Sequence, residues 1–118
     1  MQMTISMYHN PRCSKCRATL ALLQDKGIEP ELILYLDTAP SAADLAALLK
    51  KLGKGPKEVI RFNEDVAKEL GISPTDERPD AEWLSIVSAN PKLLQRPIVI
   101  NGERAAIGRP PENVLEIL

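Results

Sequence analysis

Thr4-Ile5-Ser6-Met7-Tyr8-His9-Asn10-Pro11-Arg12-Cys13-Ser14-Lys15-Cys16 contains a change of periodicity that decides the fold. Thr4 to Tyr8 alternates polar and apolar side chains, the pattern of a short half-buried strand, and His9-Asn10-Pro11 breaks it with turn chemistry. From Cys13 onward the period lengthens. Cys16, Leu20 and Leu23 recur at spacings of four and three, which predicts a helix that Gly27 closes just past its end. Glu31-Leu32-Ile33-Leu34-Tyr35-Leu36 then reads as a second, more buried strand. Strand, helix and strand in succession make a βαβ unit, with parallel strands and a right-handed crossover.

Beyond this unit, Ser41-Ala42-Ala43-Asp44 resembles a capping box with Asp in place of Glu, and it opens a helix through Leu52 that Gly53 stops. Residues 56–60, 64–70 and 80–88 are further short helical pieces, separated by Gly55, Gly71, Pro74, Pro79 and Pro91. No one of them is long enough to form its own core, so residues 41–90 are expected to be a helical insertion within a single domain, 1–118. Pro97-Ile98-Val99-Ile100 is a strand, Asn101-Gly102 a strong hairpin signal, and residues 103–107 return antiparallel. Pro110-Pro111-Glu112 starts a last helix over residues 113–118. The order predicts an α/β fold with a four-stranded mixed sheet flanked by helices.

Bulk properties narrow the function. The chain has 118 residues, 44% of them hydrophobic, enough for a core without metals or several disulfides. Fifteen Lys and Arg face 16 Asp and Glu, for a net charge of −1, and aromatic residues are 3%. Neither figure fits a nucleic-acid binder, which needs cationic charge and stacking surfaces. Met1 to Thr4 shows no leader pattern, and no apolar run approaches the roughly 18 residues of a membrane span. A soluble, cytoplasmic monomer that binds neither nucleic acid nor membrane is expected.

The chemistry centres on Cys13 and Cys16. At a helix start, unpaired N–H groups and the positive end of the dipole favour the Cys13 thiolate, and Arg12, Lys15 and Arg17 add positive charge nearby. Cys16, one turn on, faces the same side at a Cα separation of about 5 to 6 Å, within disulfide range. The pair also admits two plainer readings, buried small hydrophobes or part of a zinc site. Zinc needs four ligands, and two Cys with the single His9 leave that set incomplete, so no metal is expected. A phosphatase loop needs Arg six positions after its Cys, and that position is Thr19.

His9 lies four residues before Cys13 and can tune the thiol or a bound anion, or simply cap the loop. Arg61, Arg96 and Arg109 each sit at an element boundary; taken singly, each reads first as a solvated surface charge. Pro97, at a strand start where no N–H is needed, is open to either a cis or a trans bond.

Together these residues resemble the glutaredoxin-dependent arsenate reductases. The resemblance rests on Tyr8-His9-Asn10-Pro11-Arg12-Cys13-Ser14-Lys15, the Ile33-Leu34-Tyr35-Leu36 segment, Arg61, Arg96-Pro97-Ile98-Val99 and Gly108-Arg109-Pro110, over nearly the whole chain. It implies a thioredoxin-like fold with a helical insertion and a cis Pro97. It implies further that Cys13 attacks arsenate, that Arg61, Arg96 and Arg109 hold the oxyanion, and that His9 assists the thiolate. No bound cofactor is implied; the electrons come from an external thiol, glutathione with glutaredoxin, or thioredoxin. Two departures stand out. Cys16 occupies a place where the family usually has Ser, which makes it a candidate resolving thiol. The chain also ends at Leu118 without the extension of the longer members.

Two other functions fit parts of the pattern. A general thiol–disulfide oxidoreductase would use Cys13 and Cys16 and ignore arsenate. An Spx-like redox-sensing transcription regulator would carry the same Cys-x-x-Cys pair, but the His9-Asn10-Pro11 loop is unlike that of those regulators.

Overall fold

The computed structural model describes residues 5–118, so Thr4, read above as part of the first strand, lies outside the described residues. The chain falls into two compact units: the residues up to Thr38 together with Arg96–Leu118, and Ala39–Gln95.

The first unit carries the sheet. Its strands are β1 (Ile5–Tyr8), β2 (Glu31–Ile33), β3 (Ile98–Asn101) and β4 (Arg104–Ile107), in the order β2-β1-β3-β4. β1 runs parallel to β2 and antiparallel to β3, with Met7 opposite Leu32 on one side and Val99 on the other. The mixed α/β sheet and the thioredoxin-like order are as expected. Helix α1 (Ser14–Asp25) buries Cys16, Thr19 and Leu23. Cys16 and Leu23 join Met7, Val99, Val114 and Ile117 in one apolar core, where each large side chain contributes roughly 1.5–3 kcal/mol of burial free energy. Gly27, at φ 76, ends α1 in the left-handed conformation expected of it.

Three expectations about this unit need correction. The second strand stops at Ile33 and is not the more buried one: Leu32, Leu34 and Leu36 are 41%, 41% and 39% exposed. β2 is the sheet edge, and the Leu34 carbonyl is taken by the N–H groups of Asp37 and Thr38, which turns the chain away from the sheet. The β3–β4 turn sits one residue later than the Asn-Gly signal implied. Asn101 pairs with Arg104, which leaves Gly102 and Glu103 as the two loop residues; Gly102 has φ 62, the positive value a type II′ turn needs at its first central position. The last helix is a 3-10 helix over Pro111–Ile117. Pro110 and Pro111 lack N–H groups, and Asn113 N–H bonds the Pro110 carbonyl three residues back, so the segment begins in the tighter winding.

The second unit is helical. It comprises α2 (Ala42–Leu52), α3 (Asp65–Leu70) and α4 (Asp80–Ala89), with 3-10 turns at Pro56–Val59 and Pro91–Leu93. The capping box is present: Ser41 Oγ accepts from Asp44 N–H at 3.1 Å, and Asp44 Oδ2 accepts from Ser41 N–H at 3.3 Å. Although each helix is short, the unit buries Leu45, Leu48, Val59, Trp83, Val87, Leu93 and Leu94. Trp83 meets Phe62 edge-on at 5.8 Å, and the Arg78 guanidinium lies 5.5 Å from its ring centre. Among the described residues no helix is long and apolar enough to cross a membrane.

Candidate active site

The loop between β1 and α1 is a turn closed twice by Asn10. Its side-chain oxygen accepts from Arg12 N–H at 3.0 Å, and its carbonyl accepts from Cys13 N–H at 2.9 Å, with Pro11 at the favoured second position. Cys13 is therefore the N-cap residue of α1, extended at φ −90 and ψ 123. The thiol is partly exposed and that of Cys16 is buried; both are free.

Burial alone would push the Cys13 thiol up. It is outweighed by hydrogen bonds from the Cys16 N–H, the Arg96 side chain, the Cys16 thiol and the Lys15 N–H, so the pKa falls below its ordinary value. The helix-start donors act as anticipated, but the cationic partner is Arg96 from the segment before β3, rather than Arg12, Lys15 or Arg17 beside the thiol in sequence. Arg109 adds a second guanidinium, its Nη2 3.9 Å from Cys13 Sγ. Cys16 behaves oppositely. Burial, and then its charge opposition and hydrogen bond to Cys13, push it up to about 11, so it remains a thiol at neutral pH.

The arginines arrive from segments joined at their backbones. Arg96–Pro97 and Arg109–Pro110 are both cis; the first matches the resemblance, and the second went unread in the sequence. Gly108 N–H donates to the Pro97 carbonyl at 2.9 Å, and Arg109 Nε donates to the Arg96 carbonyl at 2.6 Å. Position 108 admits only glycine without rearrangement, since an added Cβ would lie 2.7 Å from Thr19 Oγ1 and 2.8 Å from Pro97 Cγ.

His9 is buried, its backbone N–H donating to the Ile33 carbonyl at 3.0 Å, and its imidazole Nδ1 has no hydrogen-bond partner among the described residues. Burial lowers its pKa, so the imidazole is neutral at pH 7 and contributes no positive charge to the thiolate. Tyr35, which the sequence offered only as part of a strand, is fully buried and interacts with Arg96, Cys16 and Cys13. The signal that would have found it is its place as the one residue with a polar tip in an otherwise leucine-rich run. Arg61 belongs to the helical unit, where its N–H donates to the Leu93 carbonyl at 2.7 Å and its Nη1 pairs with Glu64 Oε1 at 2.6 Å. Five of the six residues singled out in the sequence thus lie in the sheet unit, with Cys16, Arg96 and Arg109 each interacting with Cys13. No group of three or more His, Cys, Asp or Glu is clustered for a metal ion among the described residues.

A partly exposed thiolate facing two arginines at a helix start can hold an anion beside a nucleophile. The family model described as "ArsC family" matches residues 8–117. The chain belongs to the ArsC family. Other proteins are similar along its full length. An arsenate reductase of Haemophilus influenzae is 46% identical over 98% of this chain and 100% of its own, and the uncharacterized protein YfgD of Escherichia coli is 49% identical over 100% and 99%. Among solved structures, an arsenate reductase from Vibrio cholerae superposes with a TM-score of 0.94 at 43% identity, covering all of both chains. The Cys13 loop and both arginine–proline corners fall inside the matched ArsC segment.

Proposed function

We propose that this ArsC-family chain reduces arsenate to arsenite. The observation that carries the reading is the Cys13 thiolate with Arg96 hydrogen-bonded to it and Arg109 Nη2 at 3.9 Å. An oxyanion approaching a thiolate is repelled unless cationic donors face both, and two guanidiniums supply that field in fork geometry. The Cys13 sulfur attacks arsenic and expels water, forming an S–As bond while arsenic stays at +5. A second thiol then attacks the Cys13 sulfur; the S–As bond breaks with its electron pair left on arsenic, which departs as arsenite at +3. The two thiols leave as a disulfide, so two electrons are transferred in all.

The second thiol is either external, glutathione with glutaredoxin or thioredoxin, or Cys16. The contact between the two thiols supports Cys16. Its high pKa is partly the work of the Cys13 thiolate, and that opposition ends once Cys13 is bonded to arsenic. We assign Arg61 to the anion as a third cation on the motif resemblance alone; its present partner is Glu64. His9, neutral, is assigned to proton movement at the thiol rather than to charge stabilisation. The reaction belongs in the cytoplasm, where thiol reductants regenerate Cys13.

The test is arsenate-dependent NADPH oxidation coupled through glutathione and glutaredoxin, or through thioredoxin. Turnover in either system supports the reading, and none in both overturns it. The Cys13–Cys16 contact also favours a second reading, a general dithiol oxidoreductase. Reduction of a small disulfide that needs both Cys13 and Cys16, with no arsenate turnover, is the result that reading requires.

A further inference from the structure

We propose that Tyr35 is a positioning residue of this site: its buried hydroxyl holds the Arg96 guanidinium against the Cys13 sulfur. The inference rests on the assignment of Arg96 to the anion site, but not on arsenate being the anion.

Between Leu32 and Leu36 the chain exposes all three leucines and fully buries Tyr35. Burying the residue that carries a hydroxyl, while leucines face solvent, inverts the hydrophobic preference and calls for a specific interaction inside. The turn makes the inversion possible, since Tyr35 N–H donates to the Ile33 carbonyl at 3.0 Å and swings the side chain inward as β2 ends. The ring packs edge-on against Tyr8 at 6.2 Å and 67°, next to His9 in sequence. The hydroxyl is closed off from solvent and has no partner of any kind in hydrogen-bonding geometry among the described residues. The group it interacts with is the Arg96 guanidinium, at a geometry looser than an ideal hydrogen bond, with Cys13 and Cys16 as charged neighbours. Burial pushes the phenol up to about 12, so it is neutral and can accept from a guanidinium N–H.

Arg96 is thereby gripped at both ends. Its carbonyl receives Arg109 Nε at 2.6 Å, its guanidinium bonds the Cys13 side chain, and Tyr35 lies against that guanidinium. A flexible arginine side chain aimed at a thiolate loses rotamer freedom, and a fixed neutral acceptor beside it lessens what must be lost on each binding event.

The test is Tyr35→Phe, which keeps the ring against Tyr8 and removes the oxygen. The readout is the pH profile of Cys13 alkylation by iodoacetamide, which needs no turnover and so stands apart from the success or failure of the arsenate reading. The expected result is a profile displaced to higher pH, with alkylation at pH 7 slowed about three- to tenfold, the loss of one contact looser than a full charge-assisted hydrogen bond. In an Arg96→Gln background the same substitution produces no further change, because Tyr35 acts through Arg96. Tyr35→Leu, which removes ring and hydroxyl together, separates packing from hydrogen bonding. A Tyr35→Phe profile equal to wild type while Tyr35→Leu is displaced overturns the proposal, and so does an equal displacement in both Arg96 backgrounds.

Discussion

Arg109 reaches Cys13 and Arg96 with two sides of one guanidinium: Nη2 lies 3.9 Å from the Cys13 sulfur while Nε donates to the Arg96 carbonyl at 2.6 Å. Lysine offers a charge but no fork, so it cannot hold both contacts. Arg109→Lys is expected to lower kcat/KM for arsenate by about ten- to a hundredfold, the equivalent of one charge-assisted hydrogen bond of about 1.5–3 kcal/mol. Steady-state kinetics on the purified variant check this; an unchanged kcat/KM removes Arg109 from the anion site.

The two thiols should be chemically distinct. Cys13 is lowered and Cys16 raised to about 11, so a thiol reagent at pH 7 modifies Cys13 first. Its rate is lost as pH falls through the depressed Cys13 pKa, because protonation removes the nucleophile. Peptide mapping after brief alkylation at several pH values measures both. Equal labelling of the two cysteines at pH 7 contradicts the assignment.

Gly108 sets how closely the Arg109 corner approaches α1. Gly108→Ala places a methyl 2.7 Å from Thr19 Oγ1 and 2.8 Å from Pro97 Cγ, and the overpacking should cost about 1–3 kcal/mol. Thr19→Ala in the same chain removes one of the two clashing groups and should recover part of the loss. Urea denaturation of wild type and the two variants decides; a Gly108→Ala protein as stable as wild type shows that the corner yields freely.

In the helical unit, Ser41 is worth testing by itself. Removing its hydroxyl leaves Asp44 N–H without its cap, so Ser41→Ala should cost about 1 kcal/mol. The chain's single tryptophan, Trp83, is buried in the same unit, which makes its fluorescence a local reporter of the loss. An unaltered Trp83 transition in urea shows the cap to be dispensable.

How much of this was legible in the residues depended on whether local rules governed them. The βαβ start and Ser41 box are written in short-range periodicity and capping, and these survive folding unchanged. The length of β2 was not legible, because Leu34 and Leu36 look like core until the strand is known to be an edge. The hairpin register slipped by one residue because Asn-Gly marks a turn without fixing which residue pairs last. At the site, Cys13, Cys16 and His9 were readable from the loop, whereas Arg96 and Arg109 acquire meaning only when the sheet brings residues 83 and 96 positions beyond Cys13 to its thiol. Tyr35 was hidden for the same reason: its polar tip sets it apart from the leucines around it, but Arg96, which gives that tip its meaning, lies 61 positions on.

The central claim is that the Cys13 thiolate attacks arsenate. Arsenite formed by arsenate-treated protein with external thiol present, compared between wild type, Cys16→Ser and Cys13→Ser, tests it most directly. The account predicts arsenite from wild type, arsenite from Cys16→Ser wherever an external thiol can serve as the second thiol, and none from Cys13→Ser. Arsenite formed by Cys13→Ser at the wild-type rate contradicts it.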